Sequence, residues 1–341
     1  MRSFAYSRAA DVAAAVRDAS GNSPAIVPPT DAPVQFLAGG TTLLDLMKLD
    51  VMRPVRLVDL DAIRPRADDG IRSGADGLQL SAFASMAETA AHPIVARDYP
   101  VIAETLLLAA SAQLRNMATL GGNLLQRTRC PYFREPRTTP CNKRVPGSGC
   151  SALDGVHRGH AVLGTSDACI AAYPGDFAQA LVALDATLDV TSPNGRRSVR
   201  VADLHRLPEG TPQVETTLAA GELITSIAVP AGPWTRRSRY VKVRDRASFQ
   251  FALASAAVAL DLRDDTVQVA RIALGGVATV PWRAREAESV LAGKRLDEAT
   301  ARAAADAAFA AARPCRDNAF KVELGRRTLV RALLEAAALP A

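Results

Sequence analysis

The sequence predicts an α+β protein of more than one domain, and three observations lead there. At 341 residues the chain is longer than one ordinary core organises and fits two or three domains. Short apolar runs bounded by glycines alternate with stretches of helical spacing through most of its length. After Pro233 two long apolar runs are followed by two alanine-rich helical stretches, an α+β pattern of its own.

Taken in order, Ala9 to Asp18 has the spacing of an amphipathic helix, and Val34 to Ala38 is a short apolar strand ending in Gly39-Gly40. A helix is expected next, from Leu43 to Leu49. Leu57 to Asp59 and the alternating Gly77 to Ala82 read as strands, so a second, sheet-rich lobe begins near residue 60. Helices are expected over Met86 to Ala91 and Pro100 to Ala112. Periodicity then stops between Thr128 and Gly159, where Pro131, Pro136, Pro140, Pro146, Gly147 and Gly149 predict an irregular loop, of a length that marks function or disorder. Patterning resumes with Ala178 to Leu184, strands around Leu188 to Val190, Glu222 to Val229 and Tyr240 to Val243, then Ala252 to Leu260 and Val267 to Leu274, and helices after Asp297 and Asn318. The expected division is a lobe over 1–60, a second lobe over 61–232 carrying an insertion at 126–170, and a C-terminal domain over 233–341.

Composition narrows the function classes. The chain is 48% apolar without a low-complexity tract, the balance of a globular protein. No run approaches the roughly 20 apolar residues that span a bilayer, and the N-terminus has no signal-peptide core. The net charge of +6 comes from basic residues scattered beside acidic ones, with few aromatics among them, which argues against nucleic acid as a partner. One local cluster stands out: Arg127, Arg129, Arg134, Arg137, Lys143 and Arg144, interleaved with cysteines.

Two glycine segments carry the binding chemistry. Phe36, Leu37, Ala38, Gly39, Gly40, Thr41, Thr42 and Leu43 place two glycines and two threonines between a strand and a helix, where free amides and hydroxyls suit an anion. Alone, such a segment is more often a plain turn. Thr119, Leu120, Gly121, Gly122 and Asn123 repeat the pattern, and two such segments can clasp one diphosphate. Neither contains a dinucleotide-fold or P-loop fingerprint.

These motifs, LAGGTTLLDLMK and QLRNMATLGGN, resemble the signatures of the FAD-binding subunits and domains of the xanthine dehydrogenase and aldehyde oxidoreductase group. The resemblance continues through Tyr173-Pro174-Gly175-Asp176, Gly221 to Ile224, Tyr240 to Arg246 and Ala273 to Val277, and so covers nearly the whole chain. It implies a two-lobed FAD-binding domain of the vanillyl-alcohol-oxidase (PCMH) type, followed by a C-terminal domain of the CO dehydrogenase flavoprotein type, with FAD between the lobes on the two glycine segments. It also places Asp176, Ile224 and Lys242 near the flavin. Without it, Asp176 reads as a helix cap, Ile224 as core and Lys242 as a strand-edge charge.

Cys130, Cys141, Cys150 and Cys169 cluster in a chain that holds only five cysteines. Their chemistry suits a [4Fe–4S] cube, a zinc site or a disulfide pair; the short chelate usual for zinc is absent. A few members of the family, 4-hydroxybenzoyl-CoA reductase and a periplasmic aldehyde oxidoreductase among them, insert a cysteine-bearing loop here for a [4Fe–4S] cluster. The resemblance therefore implies the cube, closest to the aldehyde enzyme, with Arg127, Arg129, Lys143 and Arg144 offsetting its negative charge. His157 and His160 could serve as ligands, but four cysteines already complete a cube, so both read as loop residues, His160 before an apolar strand as a satisfied structural histidine; Cys315 reads as packing or an incidental thiol.

The resemblance further implies an electron-transfer subunit of a heterotrimeric molybdenum hydroxylase that oxidises aldehydes. Its partners are a large molybdopterin-binding subunit, a small [2Fe–2S] subunit and an external electron acceptor. Export to the periplasm would depend on a partner's signal; the cytoplasm is the alternative. The other readings are the flavin subunit of a 4-hydroxybenzoyl-CoA reductase-like or xanthine dehydrogenase-like enzyme and, in another class, a zinc-stabilised nucleotide-binding scaffold.

Overall fold

The computed structural model describes residues 1–20 and 30–340. The first sheet is parallel, built from β1 (Ala5–Arg8), β2 (Val34–Leu37) and β3 (Arg56–Asp59), with helices α1 (Val12–Ala19) and α2 (Leu43–Lys48) between them. Strand order is β1-β3-β2, so the last strand sits in the middle. Side chains alternate across it as a strand requires. Leu57 packs with Leu46 and Met47 on one face, and Val58 with Ala15 and Val16 on the other. Asp11 starts α1 by accepting the Ala14 amide at 2.7 Å, the usual role of a carboxylate at an N-cap.

A five-stranded antiparallel sheet comes next, with β4 (Ile71–Gly74), β5 (Gly77–Ser81), β6 (Thr187–Ser192), β7 (Gly195–Arg200) and β8 (Leu223–Pro230) in the order β4-β5-β8-β6-β7. Its apolar face (Leu78, Leu80, Leu188, Val190, Ile227, Val229) is covered by helices inserted between β5 and β6. Among these are α3 (Met86–Ala91), α4 (Pro93–Asp98), α5 (Pro100–Leu107), α6 (Ala112–Met117), α7 (Leu120–Leu124), α8 (Pro131–Arg134) and α9 (Phe177–Ala183). Every residue of α9 is buried, the polar Gln179 included, because the helix packs against the third sheet as well.

That third sheet is antiparallel: β9 (Ser238–Val243), β10 (Ala254–Arg263), β11 (Thr266–Gly275) and β12 (Trp282–Arg283), in the order β12-β11-β10-β9. Helices α10 (Arg285–Leu291), α11 (Glu298–Ala308) and α12 (Phe320–Ala337) close a separate core over it.

Two expectations need correction. The helix expected to run to Ala112 stops at Leu107, and the chain turns through Ala110 at φ +48°. Ser111 then caps α6 by accepting the Leu114 amide at 3.3 Å. The stretch around the second glycine pair is also helical rather than an open loop, because Thr119 accepts the Gly122 amide at 3.2 Å and starts α7 on the pair itself. Ser and Thr placed three residues before a free amide are the signal for a cap.

Candidate functional site

Between the first two sheets lies a cavity of about 290 Å³, the size class of a small-molecule or cofactor site. Of the first glycine segment, Phe36, Ala38, Gly39, Gly40, Thr41, Thr42 and Leu43 line it; Leu37, on the opposite face of β2, does not. Leu37 packs instead toward the core that holds Leu46 and Met47. From the second segment Thr119, Gly121 and Gly122 line it, and Leu120 and Asn123 do not. Leu120 is fully buried in the core and Asn123 turns its amide toward Met86. Ile224 lines the cavity, while Asp176 and Lys242 lie outside it.

The two segments contribute differently. Among the described residues, the amides of Gly39, Gly40, Thr41 and Thr42 carry no intramolecular hydrogen bond, so the first segment keeps the open donors that an anion needs. In the second, the amides of Leu120, Gly121 and Asn123 are already bonded to the carbonyls of Ala84, Ala82 and Thr119, and that of Gly122 to the Thr119 hydroxyl. The expectation of free donors on both sides therefore fails for the second segment, which shapes the wall instead. Its glycines are needed for close packing: a Cβ on Gly121 would press on Ala82 at 3.1 Å, and one on Gly39 would stand 2.6 Å from the Met117 carbonyl carbon. Gly39 is where the two segments meet. Gly40 turns at φ +71°, a backbone region that favours glycine.

Asp176 and Lys242 form a buried ion pair at 2.7 Å, with side chains 3% and 1% exposed. The Tyr240 hydroxyl donates to the second carboxylate oxygen at 2.5 Å, and the ammonium also donates to the Leu108 carbonyl at 3.0 Å. Burial raises the Asp176 pKa; attraction to Lys242 opposes that rise. Asp176 stands at the N-cap position of α9 but makes no side-chain capping bond, and Lys242 is on the edge strand β9 as expected, though paired and buried rather than solvated. The pair ties α9 to β9, joining the second and third sheets.

The cysteines are drawn together beside the cavity. Cys130, Cys141 and Cys169 share one buried cluster, and Cys150 faces Cys141 in an isolated bridge. All are free thiols. Burial pushes the Cys130 thiol up to about 12, and Cys141 and Cys169 add to it; burial likewise raises Cys169, with Lys143 lowering it and Cys150 and Cys141 raising it further. A thiolate in such a place requires a cation or a metal. Among the described residues, no three His, Cys, Asp or Glu side chains converge on a single-ion point. Cys315 lies apart from this cluster, its amide donating to Asn318 at 2.7 Å.

Sequence reasoning missed the partners of this pocket. His160 is a buried residue whose Nε2 stands 3.2 Å from Cys130 Sγ, with its carbonyl held by Lys321 Nζ at 3.0 Å. His157, also buried, accepts the Asp317 amide at 3.0 Å. The basic residues are largely engaged by two carboxylates. Arg129 and Arg134 pair with Asp45 at 3.0 and 2.9 Å. Arg127 pairs with Glu215, and Lys143 does so at 2.9 Å. Arg144 instead donates to the carbonyls of Tyr132, Phe133 and Thr139. Less positive charge is therefore left for a cluster than the sequence alone suggested. Asp45 sits in the first glycine motif; nothing in the sequence marks Glu215, because its pairing spans 88 residues.

Known proteins resemble this chain in sequence and in fold. The family model for the FAD-binding domain in molybdopterin dehydrogenase matches residues 2–232, and that for the CO dehydrogenase flavoprotein C-terminal domain matches residues 239–339. The chain is 47% identical over 305 residues to the aldehyde oxidoreductase FAD-binding subunit PaoB of Escherichia coli (strain K12), covering 89% of this chain and 92% of that one. It is 30% identical to the carbon monoxide dehydrogenase medium chain of Hydrogenophaga pseudoflava, over 87% of this chain and 85% of that one. The solved carbon monoxide dehydrogenase of Hydrogenophaga pseudoflava that lacks the Mo-pyranopterin moiety superposes with a TM-score of 0.74 at 26% identity, covering 99% of this chain and 98% of that chain. Among the described residues no helix is long and apolar enough to cross a membrane. The chain belongs to the FAD-binding medium subunits of the molybdenum hydroxylase family and is an oxidoreductase subunit of the aldehyde oxidoreductase and CO dehydrogenase type.

Proposed function

We propose that this chain carries FAD and a [4Fe–4S] cluster and serves as the electron-transfer subunit of a heterotrimeric molybdenum hydroxylase that oxidises aldehydes to carboxylic acids. The observation that carries the reading is the adjacency of two sites on one stretch of chain. Residues 119–130 run from the cavity wall at Thr119, Gly121 and Gly122, through Leu125 and Arg127 on the same wall, to the first clustered cysteine, Cys130. In this reading a large molybdopterin subunit oxidises the substrate, a small [2Fe–2S] subunit relays the electrons here, and an external acceptor removes them. The 47% identity to an aldehyde oxidoreductase subunit favours an aldehyde as substrate. Assembly and export to the periplasm on a partner's signal belong to the same proposal, as does the domain division 1–60, 61–232 and 233–341.

Bound FAD supplies the exchange between two-electron and one-electron chemistry. The chain's own residues bind and orient it. The open amides of Gly39 to Thr42 face an anionic portion, Gly121 and Gly122 let the wall approach closely, and Phe36, Leu125 and Ile224 give apolar surface that excludes water. Asp176, Lys242 and Tyr240 act from outside the cavity by fixing α9 against β9. Cys130, Cys141, Cys150 and Cys169 would hold the cube, one thiolate per iron. Burial raises the Cys130 and Cys169 thiols, with Cys141 adding to both, and among the described residues no three such side chains meet at a single-ion point, an arrangement that suits the corners of a cube better than one ion.

The test is a visible spectrum of anaerobically purified protein with flavin, iron, sulfide and zinc quantified on the same sample. About four irons per chain with stoichiometric flavin supports the proposal. Flavin without iron discards the cluster, and stoichiometric zinc without flavin discards the whole reading.

A further inference from the structure

His160 touches a cysteine without belonging to the proposed ligand set. It is 4% exposed, and its Nε2 stands 3.2 Å from Cys130 Sγ. Its Nδ1 is buried with no hydrogen-bond partner among the described residues. A neutral imidazole carries one N–H. On Nδ1 that proton would be a buried, unpaired donor, which is costly, so it belongs on Nε2, aimed at the sulfur. The backbone around the ring is clamped from the C-terminal domain. Lys321, at the start of α12 and fully buried, donates to the carbonyls of His160 at 3.0 Å and Gly276 at 2.6 Å. Asn318, also fully buried, donates to the carbonyls of His160 and Ala161 at 3.4 and 3.1 Å. From the other side, the Ala161 amide donates at 2.9 Å to the carbonyl of Ile170, the residue after Cys169. Other donors to these sulfurs are backbone amides: those of Tyr132 and Phe133 on Cys130, and that of Ala171 on Cys169 at 3.4 Å.

We propose that His160 sets the potential of the [4Fe–4S] cluster: its Nε2–H donates to Cys130 Sγ and stabilises the reduced state, while Lys321 and Asn318 hold its backbone in place. The inference rests on the cluster reading given under the proposed function. A metal-bound thiolate has no proton of its own, so Nε2 is the donor, and the bond fixes the tautomer. Reduction adds negative charge to the cube and its thiolates. A hydrogen bond to sulfur strengthens as that charge grows, so donation raises the reduction potential. The nearby arginines are spent elsewhere: Arg129 and Arg134 on Asp45, Arg127 on Glu215 and Arg144 on carbonyls. The side chain that reaches Cys130 is therefore a neutral donor, which adjusts the potential without adding a charge.

The test is a redox titration of the anaerobically purified full chain, followed by electron paramagnetic resonance, with iron quantified on each sample. His160→Leu removes the donor and is expected to lower the cluster potential at wild-type iron content. The shift should reach roughly tenfold in the reduction equilibrium, about 59 mV for a one-electron couple. His160→Gln, whose amide N–H can take the place of Nε2–H, is expected to restore most of it. His157→Gln changes a buried neighbour that bonds Asp317 rather than a sulfur, and is expected to leave the potential unchanged. A wild-type potential in His160→Leu at full iron content overturns the inference. So do equal shifts in His160→Leu and His160→Gln, which would make the effect one of packing. Loss of iron from both His160 variants overturns it as well, because the imidazole would then be needed to hold the cluster. A wild-type chain without iron would instead sink the cluster reading itself, before any variant is made.

Discussion

Gly39→Ala tests whether the two glycine segments form one clasp. An added methyl would collide with the Met117 carbonyl oxygen and sit 2.6 Å from its carbon and 3.0 Å from Ala118 Cα. All three are backbone atoms, so no side-chain rotation relieves the contact, and one segment must retreat by about 1 Å, an overpacking cost of roughly 1–3 kcal/mol. Met117 and Ala118 lead directly into the Thr119 cap of α7, whose Leu120 and Gly121 amides are bonded to Ala84 and Ala82. The retreat therefore falls on the first segment, which carries the open amides. The expected result is FAD binding weakened about 5- to 100-fold, from the same 1–3 kcal/mol, with the far-ultraviolet circular dichroism unchanged. Flavin fluorescence quenching on titration measures the first, and thermal melts with and without FAD separate lost affinity from lost stability. A Gly39→Ala chain with wild-type affinity and melting temperature would refute the idea that the segments meet here without slack.

The buried Asp176–Lys242 pair predicts a non-additive cycle. Lys242→Met alone, leaving a buried carboxylate with only the Tyr240 hydroxyl, should cost about 3–5 kcal/mol, and Asp176→Leu with Lys242→Met should recover most of it; additive losses in urea unfolding would show that the two side chains act independently. Lys321, fully buried and bonded to the carbonyls of Gly159, His160 and Gly276, predicts a pH effect. Burial, with Arg158 adding, holds its pKa down to about 7, so the folded chain sheds this proton well before the unfolded one. The penalty for keeping it charged is fully present below pH 7 and is relieved as pH rises toward the ordinary lysine value. Wild-type stability should therefore gain about 2 kcal/mol relative to Lys321→Met between about pH 7 and 9; parallel curves for the two proteins would contradict this. On the proposed cluster, Cys141→Ser should lower the iron content while retaining flavin, read by iron assay and absorbance, and iron at the wild-type level would take Cys141 out of the proposed ligand set.

The local elements and the family were legible in the sequence because they depend on short-range order. The spacing of Ala9 to Asp18, the strand ending at Gly39-Gly40 and the alternation of Gly77 to Ala82 are set by residues that are neighbours in the chain, and the two glycine motifs are contiguous strings. The cysteine cluster was legible for the same reason, as a concentration of one residue type. Tertiary structure alone decided which of those residues face the cavity and what charges surround them. Leu37 and Phe36 are adjacent in sequence, yet only Phe36 lines the site, because one strand has two faces. The second glycine pair looked like a second set of free donors until its amides proved to be spent on Ala82, Ala84 and Thr119. Arg127 was grouped with the cysteines by proximity in sequence, whereas in the fold it also lines the cavity, with Nε engaged by Glu215 and its guanidinium over the Phe133 ring. Charge pairing of this kind acts through space over a few ångströms and leaves no periodic trace along the chain, so a sequence can supply both partners and still not reveal that they meet.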